Sequence, residues 1–286
     1  MNNSDTFYTT LKPYLRTKDY FLSQEDFELK INEEYQLLVT QPVPKNLEFY
    51  YESEAYISHS NQPKGVFDRI YGFVKSIALK RKLELINSFS FHKKLVLDIG
   101  AGTGDFLLTC KKGGWNTFGT EPNLKARDIA KQKGIYLEAD LSKFKKQQFE
   151  VITLWHVLEH VPNLSELISE LNSLLAENGR IIVAVPNFNS FDASYYGSFW
   201  AAFDVPRHLW HFSRSAIHKI FSKEKIRVEK ILPMKFDSFY VSLLSEKYKT
   251  GKMNPIKAFF IGLRSNFKAI GTGEYSSLIY VLKKDK

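Results

Sequence analysis

Leu97-Asp98-Ile99-Gly100-Ala101-Gly102-Thr103-Gly104-Asp105-Phe106 is the stretch that decides the fold. An apolar run, Leu95-Val96-Leu97, stops at an acidic residue and enters a loop with glycine at every second position. A helix-like segment follows at once. Strand, glycine-rich turn and helix in that order form a nucleotide-binding βα unit. The dinucleotide fingerprint needs G-x-G-x-x-G. Here the pattern is G-x-G-x-G, with Asp105 where the third glycine should stand. The spacing therefore points away from a dinucleotide.

Outward from this loop the chain alternates strand and helix from about 90 to 235. Strands are predicted at 94–99, 116–120, 135–138, 149–155, 180–185 and 226–232. Helices are predicted at 104–112, 123–133, 163–177 and 213–223. Asn123 and Ser213 suit helix N-caps, and Gly134 and Gly179 suit positions just past helix ends. A helix is also expected from about Val66 to Asn87, on the period of Phe67, Ile70, Val74, Ile77, Ala78, Leu85 and Ile86. Ser276 to Leu282 reads as a last strand. Such alternation specifies a mostly parallel sheet with helices on both faces. Before it, 19–21, 27–31 and 35–40 look like small strands, closed by Gln41-Pro42-Val43-Pro44, and an aromatic loop follows from Tyr50-Tyr51 to His59-Ser60. The organisation expected is an N-terminal accessory segment over 1–62 and a main domain over 63–286. The main domain carries a lid near 187–212 and a helical insertion near 236–270.

Further polar residues fall where the strands of such a sheet end. The backbone of Gly100, Ala101, Gly102, Thr103 and Gly104, with the helix N-terminus behind it, can receive a carboxylate. Asp98 can accept from an ammonium group. Glu121, before Pro122 and about 21 residues past Gly100, can accept from both ribose hydroxyls. Asp140, before Leu141, can accept from an adenine amino group. The strand 149–155 brings Trp155 and His156 to the same edge, and Phe106 opens the helix after the loop. A methionine, a ribose and an adenine together make S-adenosylmethionine.

Leu97 to Gly104 resembles the first motif of class I S-adenosylmethionine-dependent methyltransferases. Glu121, Asp140-Leu141 and Val157-Leu158-Glu159-His160-Val161-Pro162 fall at the later motifs. The last resembles the subgroup that includes ubiquinone-biosynthesis O-methyltransferases. The resemblance implies an α/β fold with a Rossmann-like seven-stranded, mostly parallel sheet whose last strand is antiparallel. It also implies Asp98 and the glycines on the methionine, Glu121 on the ribose and Asp140 on the adenine. A looser resemblance links 19–60 and Asp204–Phe212 to methyltransferases that begin with a zinc knuckle. Asn32 and Tyr35 stand where a C-x-x-C pair would, so that resemblance implies a scaffold without its zinc.

Two constellations are candidates for chemistry. His156, Glu159 and His160 share one face if helical. They read as a general base, a metal site or a structural hydrogen-bonded turn; no metal is assigned. Asp204-Val205-Pro206-Arg207-His208-Leu209-Trp210-His211-Phe212 offers Arg207 for an anion and His208 and His211 for proton transfer. The alternative is a support in which Arg207 pairs with Asp204. Tyr195, Tyr196, Phe199 and Trp200 suit either an apolar acceptor pocket or a core.

Composition sets outer limits. An apolar content of 44% supports a sizeable core. The single cysteine, Cys110, excludes an internal disulfide and suits a reducing compartment. No apolar run spans a bilayer and no signal-peptide pattern opens the chain, so a cytoplasmic enzyme is expected. The net charge of +9 suits an anionic partner or a solvated lysine-rich surface. It leaves peripheral membrane contact open, and no RNA-binding motif accompanies it. The expected activity is methyl transfer to a small or lipid-like acceptor, at oxygen. RNA methylation and S-adenosylmethionine binding without turnover are the alternatives.

Overall fold

The computed structural model describes residues 6–51 and 66–285. In chain order the strands and helices are β1 (Leu11–Lys18), β2 (Asp26–Asn32), β3 (Leu37–Gln41), α1 (Val66–Asn87), β4 (Leu95–Ile99), α2 (Asp105–Lys112), β5 (Asn116–Thr120), α3 (Leu124–Gln132), β6 (Phe149–Trp155), α4 (Leu164–Leu174), β7 (Leu175–Pro186), α5 (Phe191–Tyr196), β8 (Trp210–Phe212), α6 (Arg214–Ser222), β9 (Ile226–Pro233), α7 (Asp237–Thr250), α8 (Pro255–Thr272) and β10 (Ser277–Lys284). The larger sheet has the strand order β5-β4-β6-β7-β10-β9 and the smaller β1-β2-β3-β8. The fold is the expected α/β class. The parallel pairs include β4 with β5 and with β6, and β10 runs antiparallel to β9.

The chain divides into two compact units. One contains the described residues of 66–155 with 170–182, and the other contains 6–51, 156–169 and 183–285; α4 and β7 pass from one into the other.

In the first unit, β4 is buried along Val96-Leu97-Asp98-Ile99, as a strand covered on both faces must be. α2 starts from Gly104 in the left-handed region, and Asn123 caps α3 by accepting from the Ala126 amide at 3.0 Å. The strand predicted at 135–138 is instead a single bridge between Glu138 and Thr120. Its position would make it the seventh strand, at the β5 edge. Gly179 is also placed differently: α4 ends at Leu174 and Gly179 lies inside β7.

In the second unit the N-terminal strands are antiparallel, and β8 joins them beside β3, with Leu38 opposite His211. The sequence pattern missed β1, which contains Pro13. A proline is tolerated there because β1 is the edge strand. Residues 19–21, expected as a strand, form a turn whose amides at Phe21, Leu22 and Ser23 all donate to the Asp19 carboxylate. The stretch 187–212, expected as a lid, is largely core. Phe188, Tyr196, Trp200, Phe203 and Val205 pack with Phe27, Leu29 and Leu38 in one buried cluster. Each such side chain contributes about 1.5–3 kcal/mol of burial. Asp192, fully buried, accepts from Trp200 Nε1, Ser265 Oγ and Ser276 Oγ at 2.8, 2.6 and 2.7 Å. Three donors satisfy a carboxylate that would otherwise be costly to bury. Asn32 donates to the Phe7 and Thr9 carbonyls and accepts from the Tyr35 amide. The aromatic loop expected to run to 60 lies outside the described residues beyond Tyr51.

Candidate active site

In the first unit, the parallel register sets Asp98 opposite both Gly119 and Thr153. Thr153 donates to Asp98 Oδ1 at 2.6 Å. The carboxylate is almost fully buried, and burial pushes its pKa up to about 7 against the pull of that hydrogen bond and of Lys82. A Cβ at Gly119 would meet Leu107 Cδ1 at 2.6 Å, Leu137 Cδ2 at 2.8 Å and the Asp98 carbonyl at 3.0 Å, so any larger residue would have to push these aside. The loop beyond turns through positive φ at Gly100, Gly102 and Gly104, values of 66°, 54° and 74°. Around Gly102 a Cβ would meet no atom within 4 Å. The glycine there leaves open space for a close approach while meeting the backbone conformation.

Glu121 closes this loop. Its Oε2 accepts from the Gly102 amide and its Oε1 from the Asn123 amide, both at 2.9 Å. Each oxygen keeps a lone pair for a hydroxyl, and Pro122 follows it into the turn before α3. Asp140 is exposed; its Oδ1 accepts from the Ser142 amide at 2.8 Å, and hydrogen bonds from the Ser142 hydroxyl and amide lower its pKa. Leu141 beside it is buried. Phe106 meets Trp155 edge to face at 5.5 Å, and Lys82 Nζ sits 4.1 Å from the Trp155 ring centre. The Trp155 indole N–H is buried without a hydrogen-bond partner. Asp105 ion-pairs with Lys75 and Lys133 at 2.6 Å each and accepts from Thr103 Oγ1. The residue that breaks the dinucleotide spacing thus braces the loop.

The second unit holds the histidines. His156 has a positive φ of 57°. Its Nδ1 lies 3.3 Å from Glu159 Oε1, and its Nε2 lies 3.3 Å from Asp237 Oδ2. Burial opposes the charged ring, but the two carboxylates outweigh it and raise the pKa to about 10. Glu159 is buried, and its other oxygen, Oε2, has no hydrogen-bond partner. His160 Nδ1 meets the Arg207 carbonyl at 3.1 Å and Tyr51 Oη at 3.0 Å. Burial and the neighbouring His208 push its pKa down to about 4, so it is neutral at physiological pH. His208 Nδ1 meets the Ala202 carbonyl at 2.9 Å. Ligand atoms of Glu159, His160 and His208 lie within 4.8 Å of one another, a set that could together meet a cation.

Two residues proposed for chemistry are committed to the scaffold instead. Arg207 is 1% exposed; its guanidinium pairs with Asp19 at 2.9 Å and Asp204 at 2.7 Å and stacks over Phe21. It has no face left for a substrate. His211 is buried, meets Thr40 Oγ1 at 3.0 Å through Nε2, and burial holds its pKa well below the usual range. Of the aromatic pocket candidates, Tyr196 and Trp200 are core. Asp237 was missed. It opens α7, far along the chain from His156, and no local pattern marks it.

A family model described as a methyltransferase domain matches residues 75–226. The chain belongs to this methyltransferase family. Among curated relatives, a ubiquinone biosynthesis O-methyltransferase of Dechloromonas aromatica is 24% identical over 181 residues, spanning 58% of this chain and 76% of the relative. One from Actinobacillus pleuropneumoniae is 33% identical over 111 residues, 34% of this chain and 47% of the relative. The solved magnesium protoporphyrin IX methyltransferase of Synechocystis, with bound SAH, aligns at a TM-score of 0.55 and 14% identity, covering 83% of this chain and 97% of that one. The protein is an S-adenosylmethionine-dependent methyltransferase. Its first unit fits that cofactor: open space at Gly102, an under-satisfied buried Asp98, a Glu121 held by two amides, and an unpartnered indole N–H at Trp155.

Proposed function

We propose that this enzyme methylates a hydroxyl oxygen on a small or lipid-like acceptor, with His156 receiving the hydroxyl proton. Asp98 would hold the ammonium of the donor's methionine part, Gly100–Gly104 its carboxylate, Glu121 the ribose and Asp140 the adenine. Bound there, S-adenosylmethionine supplies an electrophilic methyl group on a sulfonium sulfur. The rest is the chain's work: to place the acceptor and move its proton.

The observation that carries the reading is the imidazole of His156 held between Glu159 and Asp237, on the residue that directly follows Trp155. Glu159, buried, orients the ring through Nδ1. Asp237, 24% exposed, stands at Nε2. With both carboxylates in place the ring stays protonated. An acceptor hydroxyl that takes the place of Asp237 at Nε2 removes one of those charges and returns the ring towards the range of a base. Once the ring has released its Nε2 proton to solvent, Nε2 carries a lone pair that can accept the O–H proton of the acceptor. The curated ubiquinone O-methyltransferases support oxygen as the target atom. A cleft of about 410 Å³ in the second unit, lined by Tyr14, Leu15, Phe188, Asn189 and Ala193 among others, supports a compact, partly apolar acceptor.

The test is transfer of labelled methyl from S-adenosylmethionine to phenols, hydroxylated prenyl lipids, amines and total RNA. An O-methyl product, reduced about 100-fold or more in His156→Ala, is expected. Labelled RNA would move the assignment to RNA methylation. Tight binding with no product from any acceptor would leave a binding protein.

A further inference from the structure

α8 is built inside out. Its buried side is small: Ala258, Gly262, Ser265 and Ala269, with Ile261 the one large residue. Gly262 explains why. A Cβ at that position would meet the Phe239 ring at 2.8 Å and its Cα at 3.0 Å, so the helix lies against the backbone of α7. That close approach uses the small face. The large apolar side chains are left on the other side.

Ile256, Phe259, Phe260, Leu263, Phe267 and Ile270 recur at steps of three and four, which place them on one stripe of a helix. Ile256 is 74% exposed, Phe260 62%, Phe267 63% and Ile270 70%. A helix of a water-soluble domain turns such a stripe inward, and a contiguous exposed one marks an interaction surface. Met253, just before the helix, and Tyr240, on α7, are exposed as well.

Charge selects the occupant. From Lys247 to Gly273 the chain carries six basic residues and no acidic one. Lys257, Arg264 and Lys268 flank the stripe on α8, and Lys247, Lys249 and Lys252 precede it. Lys257 reaches Glu246, whereas Arg264 and Lys268 lie over the Phe191 ring. A second copy docked stripe to stripe would bring these like charges together, and Glu246, the acidic residue next before them in the chain, is already paired with Lys257. An anionic bilayer supplies the opposite charge along the whole length and an apolar layer under the phenyl rings. No described helix is long and apolar enough to cross a membrane, so the contact would be made from the surface.

We propose that α8 is a membrane-surface helix: it lies in the headgroup layer of an anionic bilayer, with its Ile/Phe stripe in the acyl boundary and its Lys/Arg flank on the phosphates. The stripe lies outside the residues that match the methyltransferase family model, which end at 226. The proposal does not depend on which acceptor is methylated.

Co-sedimentation of the full chain with vesicles tests it. Vesicles of phosphatidylcholine with 30 mol% phosphatidylglycerol are expected to bind at least tenfold more protein than phosphatidylcholine alone, and 0.5 M salt should remove most of that difference. Phe260→Ser with Phe267→Ser should lower binding tenfold or more while S-adenosylmethionine affinity stays unchanged, which reports that the fold is intact. Lys252→Glu with Arg264→Glu should remove the lipid preference. Absence of binding to both vesicle types overturns the proposal. So does a stable dimer by light scattering that Phe260→Ser with Phe267→Ser dissociates, since the stripe would then belong to a second copy.

Discussion

Asp98 and Asp19 are both buried carboxylates, one in β4 and one just after β1, and they have opposite surroundings. Asp19 takes three backbone amides and the Arg207 guanidinium, and those contacts hold its pKa below the ordinary value against burial. Asp98 takes one side-chain hydrogen bond, from Thr153, and burial raises its pKa to about 7. The first carboxylate is saturated and holds the N-terminal turn to the 204–207 segment. The second is left short of partners, in a form that an incoming ammonium would complete. The same contrast separates Arg207, whose guanidinium is consumed by Asp19 and Asp204, from Trp155, whose buried indole N–H has no partner. Residue type alone does not mark a site; the partners that reach a group decide what it can still bind.

Breaking the saturated side should produce the largest effect. Arg207→Ala leaves the buried Asp19, and the partly exposed Asp204 beside it, without their cation and is expected to cost about 3–5 kcal/mol of stability, measured by urea unfolding. A variant that kept its stability and lost only turnover would overturn the contrast. Breaking the unfinished side should show in binding. An ionised Asp98 pairs with an ammonium and a protonated one does not. Affinity for S-adenosylmethionine should therefore fall up to about tenfold per pH unit below pH 7 and level off above it. Calorimetry from pH 5.5 to 8 reads this, and Asp98→Asn should flatten the profile.

Glu121→Gln keeps the shape of the loop and removes a charged acceptor. The expected loss is about tenfold in S-adenosylmethionine affinity, roughly 1.4 kcal/mol, with thermal stability little changed. Asp237→Asn sharpens the assignment of His156. It removes one of two carboxylates that raise the ring's pKa, so the ring loses its proton at lower pH. The acid limb of the kcat/KM profile, which reports the free enzyme, should move down in pH, whereas a purely structural Asp237 would lower kcat/KM without moving the limb. Asp140→Ala should be mildest. It removes an exposed cap on the Ser142 amide, and only a small change is expected in affinity and in stability.

Much of the first unit was legible before folding. β4, the glycine turn and the helices around them arise from contiguous residues, and α1 spans the predicted Val66–Asn87. The second unit was read less well, because its signals are non-local. Pro13 disguised β1, whose place at a sheet edge makes that proline harmless. The stretch 19–21 carries strand-like residues, but the Asp19 carboxylate collects their amides into a turn. Aromatics between 187 and 212 suggested a lid; with β8 paired to β3 they became core. At 135–138 the backbone of Glu138 makes only one bridge to Thr120.

Local sequence, then, determined that this chain has a strand–glycine turn–helix unit with G-x-G-x-G spacing and carboxylates at successive strand ends. Backbone conformation and strand periodicity are short-range properties, so they can be read from neighbouring residues. Tertiary structure alone decided which polar groups remain for a ligand. It placed Asp19 on Arg207, Thr40 on His211 and Asp237 on His156. Residues far apart in the chain settle those pairings, and a hydrogen-bonding group is free only when no distant partner has reached it.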